Sequence, residues 1–282
     1  MFTLFVFWEL LTISATFLIL ARRTEKALGA GFRYFMVHVA GGLCLLAGII
    51  MHVSQTGSAA FDLIGLGTTA SWFIFVGIGV NCAWPFLHPW LTDAYPEATP
   101  TGTVFLSAFT TKMALYALAR GFPGTEALVY IGALMTCFPI FYAVIENDLR
   151  RVLAYSLINQ VGFMVCGIGI GTPLAAVAAV FHIINHASFK AALFMTAGII
   201  DHEAHTRDIK RLGGLRHLMP ITFLIGTVAG YIGGWLDVVL DATSGPNQVY
   251  LNDGAGGFAL AFTFADSLDS APAKLATGDL EI

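Results

Sequence analysis

Five ionisable side chains lie where the sequence otherwise promises hydrocarbon. Lys112 sits near the middle of Thr103 to Ala119, TVFLSAFTTKMALYALA, a stretch apolar enough to cross a membrane. An ammonium group at bilayer depth costs roughly 2.5–3.5 kcal/mol on insertion scales, so by default it marks an ion or proton path. Glu9 lies inside the first apolar stretch, and His182, His186 and Lys190 lie inside a later one. The last three follow each other at i, i+4 and i+8, a spacing that puts them on one helix face with a rise of about 6 Å between neighbours. Histidine's ordinary pKa of about 6.5 suits it to both accepting and releasing protons. Groups of this kind, spread over several helices, point to proton or cation movement through the interior.

Each group also has a plainer reading. The His182, His186 and Lys190 stripe can be polar glue that hydrogen-bonds neighbouring helices. A metal site on the i, i+4 histidines is a third option, though no carboxylate accompanies them in the HExxH manner. Lys112 either switches between charged and neutral forms when a partner moves or snorkels to the surface, which its central position makes hard. Glu9, in FWEL, is either buried with a lysine or histidine partner or near-surface on a frayed first helix. The glycines and prolines of VGIGVNCAWPFLHPW, from Gly77 to Pro89, predict an unwound helix, and Asn81 stands beside the break. Broken helices in transporters line the transport cavity, while a structural kink is the alternative. GIGIGT, Gly167 to Thr172, reads as a turn at a helix end, because no dinucleotide fingerprint follows it.

The elements that position these groups follow from composition. Of 282 residues, 57% are hydrophobic and 11% charged, against roughly 25% charged in a soluble domain. Runs long enough for ~30 Å of hydrocarbon are Met1–Ala21, Phe32–His52, Leu63–Phe86, Thr103–Ala119, Ala127–Ile145, Leu153–Ile170, Ala175–Ile200 and Ile221–Leu240. Gly257–Ala265 is too short to span. The first run has no basic residues before it and is followed by Arg22 and Arg23 rather than a small-residue cleavage site, so it reads as a retained helix. Basic residues gather after the first span (Arg22, Arg23, Lys26, Arg33), the fifth (Arg150, Arg151) and the seventh (Arg207, Lys210, Arg211, Arg216). With every span crossing once, those loops share a side, which the positive-inside rule makes cytoplasmic. Cys44, Cys82, Cys137 and Cys166 stand singly in apolar segments and indicate neither a disulfide framework nor a metal site. The expectation is therefore an all-α polytopic transmembrane bundle over 1–240 and a Gly/Ala/Asp-rich, poorly ordered tail over 241–282.

Four stretches carry a family resemblance. They are FWELLTISATFLI at Phe7–Ile19, WLTDAYPEATPTGTVFLSAFTTK at Trp90–Lys112, ENDLRRVLAYSLINQVGFM at Glu146–Met164, and FHIINHASFKAALFMTAGIIDHE at Phe181–Glu203. With their spacing, over roughly Phe7 to Met219, the chain resembles an antiporter-like subunit of multisubunit Na+/H+ antiporters of the Mrp type and of the proton-pumping arm of respiratory complex I. The resemblance implies two inverted helical repeats, here present in part. In them a glutamate and lysine pair couples to a central lysine, and histidines and a further lysine continue the path. Glu9 matches the paired glutamate, Lys112 the first-repeat lysine beyond the broken helix, and His182, His186 and Lys190 the polar stripe. The mechanism it implies is electrostatic, a change at Glu9 altering proton affinity at Lys112.

The chain departs from the family pattern in three places. Asn81 stands where many members place the lysine that pairs with the glutamate, so Glu9 either lacks its usual partner or uses a histidine such as His38. The chain opens at the glutamate helix, where the family has several helices before it. After Met219, TFLIGTVAGYIGGWLDVVLD has neither the proline nor the lysine of the second broken helix. The DHEAHTRDIKRLGGLRH stretch reads as a solvated, headgroup-facing link, with Asp201, His202, Glu203 and His205 as candidate regulatory groups. No nucleotide, flavin, quinone, iron–sulfur or nucleic-acid motif is visible, and no cofactor is expected. The functional expectation is a proton or Na+/H+ translocating subunit rather than an enzyme, in the inner (plasma) membrane, with other membrane subunits as partners. The alternative is a structural assembly subunit that no longer conducts.

Overall fold

The computed structural model describes residues 1–233, 239–241, 248–252 and 258–263. Six helices are long and apolar enough to cross a membrane: α1 (Phe2–Leu20), α2 (Glu25–Thr56), α5 (Pro100–Gly121), α6 (Glu126–Ile145), α7 (Leu149–Ile170) and α8 (Pro173–Ala204). Of the expected third span, Leu63–Phe86, only α3 (Thr69–Asn81) is helical; Cys82–His88 follows it and leads into α4 (Pro89–Glu97). A short α9 (Leu215–Leu218) leads into α10 (Pro220–Gly233), where the expected span reached Leu240. Beyond it, β1 (Val239–Asp241), β2 (Gln248–Asn252) and β3 (Phe258–Thr263) pair antiparallel in chain order. The expectation of a poorly ordered tail falls largely outside the described residues.

The helices start where capping chemistry dictates. Thr24, Thr68, Thr99, Asp148 and Thr172 each accept a backbone N–H of the following first turn, satisfying donors that have no intrahelical partner. Thr68 and Ser71 form a reciprocal capping box, which fixes the start of α3 after a loop that the hydropathy pattern includes in the span. Gly57 and Gly171 close α2 and α7 with left-handed backbone at φ 70° and 71°. The turn expected over Gly167–Thr172 is thus confined to its last two residues. Gly167 and Gly169 remain helical, and a Cβ on Gly169 would meet Val129 N at 2.7 Å.

Small residues let the helices approach closely, as in lipid-embedded bundles generally. A Cβ on Gly132 would lie 2.5 Å from Cys166 N and 2.6 Å from Gly162 O, so α6 and α7 meet almost backbone to backbone. A Cβ on Gly77 would reach Leu45 N at 2.8 Å, giving the same closeness between α2 and α3. The core is apolar and continuous, from Trp8 and Tyr34 through Trp90 and Tyr95 to Met164 and Phe194.

The two ends of the bundle differ. At one end Met1 N donates to Ala59 O at 2.6 Å, Ile64 N to Gly121 O at 2.9 Å and Gly124 N to Ile168 O at 3.0 Å, all backbone contacts. At the other end the basic loops converge on shared acids. Arg22 reaches Glu97 at 3.7 Å and Asp201 at 3.8 Å, Arg150 reaches Asp201 at 3.8 Å, and Arg207 contacts Glu97 and Asp148, each at 3.2 Å. The three loops expected to share a side do share one.

A candidate ion-translocation site

Lys112 lies on the thirteenth position of the 22-residue α5 and is 7% exposed. Its Nζ donates to Ser107 O at 2.6 Å and to Thr111 Oγ1 at 3.3 Å, both on its own helix. It does not snorkel. Helix α5 packs against α8, the helix that carries His182, His186 and Lys190. Lys190 is fully buried and donates to Ser156 Oγ on α7 at 2.8 Å. His182 Nε2 stands 2.8 Å from Oε1 of the buried Gln160, also on α7. His186 is fully buried between them, its ring centroid 6.1 Å from that of His182, and neither ring nitrogen has a hydrogen-bond partner. Lys112, His182, His186 and Lys190 thus gather between α5, α7 and α8, with His182 half-buried and the other three buried. Among the described residues, no three His, Cys, Asp or Glu side chains gather as a metal site.

Groups that can each carry a proton, held this close in a largely buried interior, interact: the charge state of one changes the cost of charging the next.

Glu9 stands apart from this compartment. It is half-buried on α1, and its Oε1 is buried with no hydrogen-bond partner. A Cβ on Gly42 of α2 would overlap that oxygen, so the carboxyl occupies the notch the glycine leaves. No hydrogen bond or ion pair joins Glu9 to Lys112 or His38 among the described residues. His38 Nδ1 meets Tyr34 O at 2.9 Å, and its ring stacks on Tyr34 at 3.9 Å.

The break itself is tightly built. Trp90 donates its indole N–H to Val80 O at 3.0 Å, taking up a carbonyl at the end of α3. The Trp84 ring fills the space where a Cβ on Gly79 would go. Ala83 and Phe86 take left-handed backbone at φ 57° and 69° to make the turn. Asn81 is buried at the lip of the break, its Oδ1 without a partner.

Sequence reasoning missed Arg150. It reads as one more loop cation, yet it is fully buried and donates through Nη2 to Ala98 O at 2.8 Å and to Thr103 Oγ1, with Tyr95 O and Thr99 O at 3.4 Å. Asp201, expected on a solvated surface, is half-buried in the same knot, whereas His202, Glu203 and His205 are exposed. The acceptors of Arg150 lie at the break between α4 and α5, far away in the chain, where helix-end carbonyls need donors.

The fold and these residues define a class. Residues 1–232 match the membrane domain of the NADH:quinone oxidoreductase/Mrp antiporter family, and the chain belongs to that family. The match continues past Met219, where the motif resemblance ended, and takes in α10. Among relatives, it is 38% identical to a probable K+/H+ antiporter subunit of Rhizobium meliloti, over 79% of this chain and 24% of that protein. It is 35% identical to a Na+/H+ antiporter subunit of Bacillus subtilis, over 81% of this chain and 32% of that protein. The chain therefore spans about a quarter to a third of the length of these relatives. In fold it is similar to a chain of the Mrp complex from Dietzia sp. DQ12-45-1b, with TM-score 0.77 and 24% identity over 83% of this chain and 47% of that one. It is also similar to a chain of the membrane-bound sulfane sulfur reductase, an archaeal respiratory membrane complex, with TM-score 0.73 and 31% identity over 81% and 51% of the two chains.

Proposed function

We propose that the chain is the ion-translocating core of an antiporter-type subunit, moving protons, or Na+ against protons, through Lys112, His182, His186 and Lys190, with Glu9 and Asn81 on the side of the broken helix. The observation that carries this reading is the convergence of four protonatable groups from α5 and α8, three of them buried and His182 half-buried, around His186, whose two nitrogens are unpartnered. His182 and Lys190 bond α7 as a polar stripe serving as glue would, but such a stripe would also satisfy His186, as buried polar groups ordinarily are. The relatives named as K+/H+ and Na+/H+ antiporter subunits support it.

The proposed setting is the plasma membrane, with the Arg22, Arg150 and Arg207 face toward the cytoplasm, in line with the positive-inside rule. The partners are other membrane subunits of an Mrp-type or complex I-like assembly. Large apolar side chains such as Phe17, Phe141, Leu174 and Phe181 are exposed on the bundle, as expected of faces that meet lipid or neighbouring helices. The test is ion flux in vesicles holding the assembled complex. Lys112→Ala and His186→Ala should each abolish flux without loss of assembly, and wild-type rates with Lys112→Ala would sink the reading. Replacing a Na+ gradient with choline separates proton-only conduction from exchange.

A second reading, in which the chain organises the complex without conducting, is favoured by Asn81, a neutral amide where the family pattern places a lysine. Unchanged flux with normal assembly in Lys190→Ala would select it.

A further inference from the structure

Helix α7 meets the α8 stripe with two polar side chains one turn apart. Ser156 and Gln160 occur at i and i+4 and so share a face, and α7 packs against α8. Lys190 Nζ donates to Ser156 Oγ at 2.8 Å, and His182 Nε2 lies 2.8 Å from Gln160 Oε1. Both ends of the stripe are therefore bonded to α7. Between them, neither nitrogen of His186 has a hydrogen-bond partner.

Asn159, the neighbour of Gln160, turns to another side. Consecutive helical residues diverge by about 100°, and Asn159 Nδ2 donates to Thr136 O of α6 at 2.6 Å. One amide thus ties α7 to a backbone carbonyl, while the next ends on a titratable ring. Gln160 is fully buried, and its Nε2 has no hydrogen-bond partner. A buried donor left unmade costs stability, so an amide serving only to join helices is poorly used here. What Gln160 does supply is an acceptor fixed against His182.

That contact sets the tautomer of His182. An amide oxygen only accepts, so the neutral imidazole carries its hydrogen on Nε2 and its lone pair on Nδ1. Loading adds a proton at Nδ1 and gives an imidazolium. Release takes the same proton from Nδ1, and the Nε2–H bond to Gln160 persists throughout. His186, whose ring centroid is 6.1 Å from that of His182, has no such anchor.

We infer that Gln160 is a positioning residue for ion movement, holding His182 in the one tautomer and ring orientation that present Nδ1 for proton exchange. This role rests on the translocation reading above and adds to it a neutral residue of α7. Asn159, whose bond ends on a backbone carbonyl, is the matching architectural amide.

The experiment measures proton flux in vesicles containing the assembled complex, with Lys112→Ala run beside the other variants. Gln160→Met keeps the length of the side chain and removes the acceptor. Gln160→Glu returns an oxygen to the same place. Flux is expected to fall about 10-fold or more in Gln160→Met and to return to within about 3-fold of wild type in Gln160→Glu. Asn159→Leu should lower the unfolding temperature while flux per assembled complex stays at wild type. A purely structural Gln160 would behave as Asn159 does. Wild-type flux per complex in Gln160→Met, with Lys112→Ala inactive, therefore overturns the positioning role and leaves translocation standing. Gln160→Glu as inactive as Gln160→Met also overturns it, because the acceptor is then not what matters. Wild-type flux in Lys112→Ala overturns both. If Gln160→Met fails to assemble, Gln160→Asn, which withdraws the amide by one methylene, decides alone: a loss supports the role and full activity removes it.

Discussion

The middle of the bundle and its charged end use the same side-chain chemistries to opposite ends. At the charged end Arg22, Arg150 and Arg207 meet Glu97, Asp148 and Asp201, and the Pro96 carbonyl accepts from Arg22 at 2.9 Å and Arg207 at 2.7 Å. In the middle, His186 lies one turn from both His182 and Lys190, fully buried, and neither of its ring nitrogens has a hydrogen-bond partner. Opposite charges locked to backbone acceptors fix a geometry. A buried imidazole that bonds nothing is not fixed in that way. The contrast teaches that burial alone does not mark a transport group: Arg150 and His186 are equally buried, yet one is held by several backbone acceptors and the other bonds none.

The sharpest way to break this contrast is at Arg150. Arg150→Leu strips donors from the carbonyls of Tyr95, Ala98 and Thr99 and leaves Asp201 with one arginine fewer. A stability loss of about 3–5 kcal/mol is expected, as for removal of one member of a buried ion pair, seen as a lowered unfolding temperature and poor assembly in detergent. His186→Ala should do the reverse, cutting flux by roughly 10²-fold or more while thermal unfolding moves much less than in Arg150→Leu. If both variants fail in the same way, the middle is architecture too and the comparison falls. A finer probe is Gly42→Ala. The added methyl displaces the Glu9 carboxyl, at a strain of about 1–3 kcal/mol, and flux should drop partially while Lys112 and His186 keep their surroundings. The smallest effect belongs to Glu203→Gln on the exposed end of α8, expected to stay within about 0.5 kcal/mol in stability with unchanged flux. A marked loss there would revive the regulatory reading of that loop.

Much of this is legible in the sequence because bilayers punish charge. Lys112, His182, His186 and Lys190 stand out against apolar runs, and a spacing of four residues on a helix leaves little doubt that the last three share a face. Span order and the shared side of the basic loops follow from the same logic. Arg150 is illegible because its acceptors are 47 to 55 residues away in the chain, and nothing local distinguishes a buried arginine from a headgroup-facing one. Glu9 is only half legible. Its depth can be read, but its seat on Gly42 is a tertiary contact between α1 and α2. The Leu63–Phe86 run misleads because hydropathy does not see a capping box, so the loop before Thr69 counts as membrane.

The elbow between α3 and α4 has a mechanical meaning. Ile78, Gly79 and Val80 already accept hydrogen bonds from Cys82, Trp84, Ala83 and the Trp90 indole, and two tryptophans wedge the corner. A bend so fully braced works as a bracket and not as a joint.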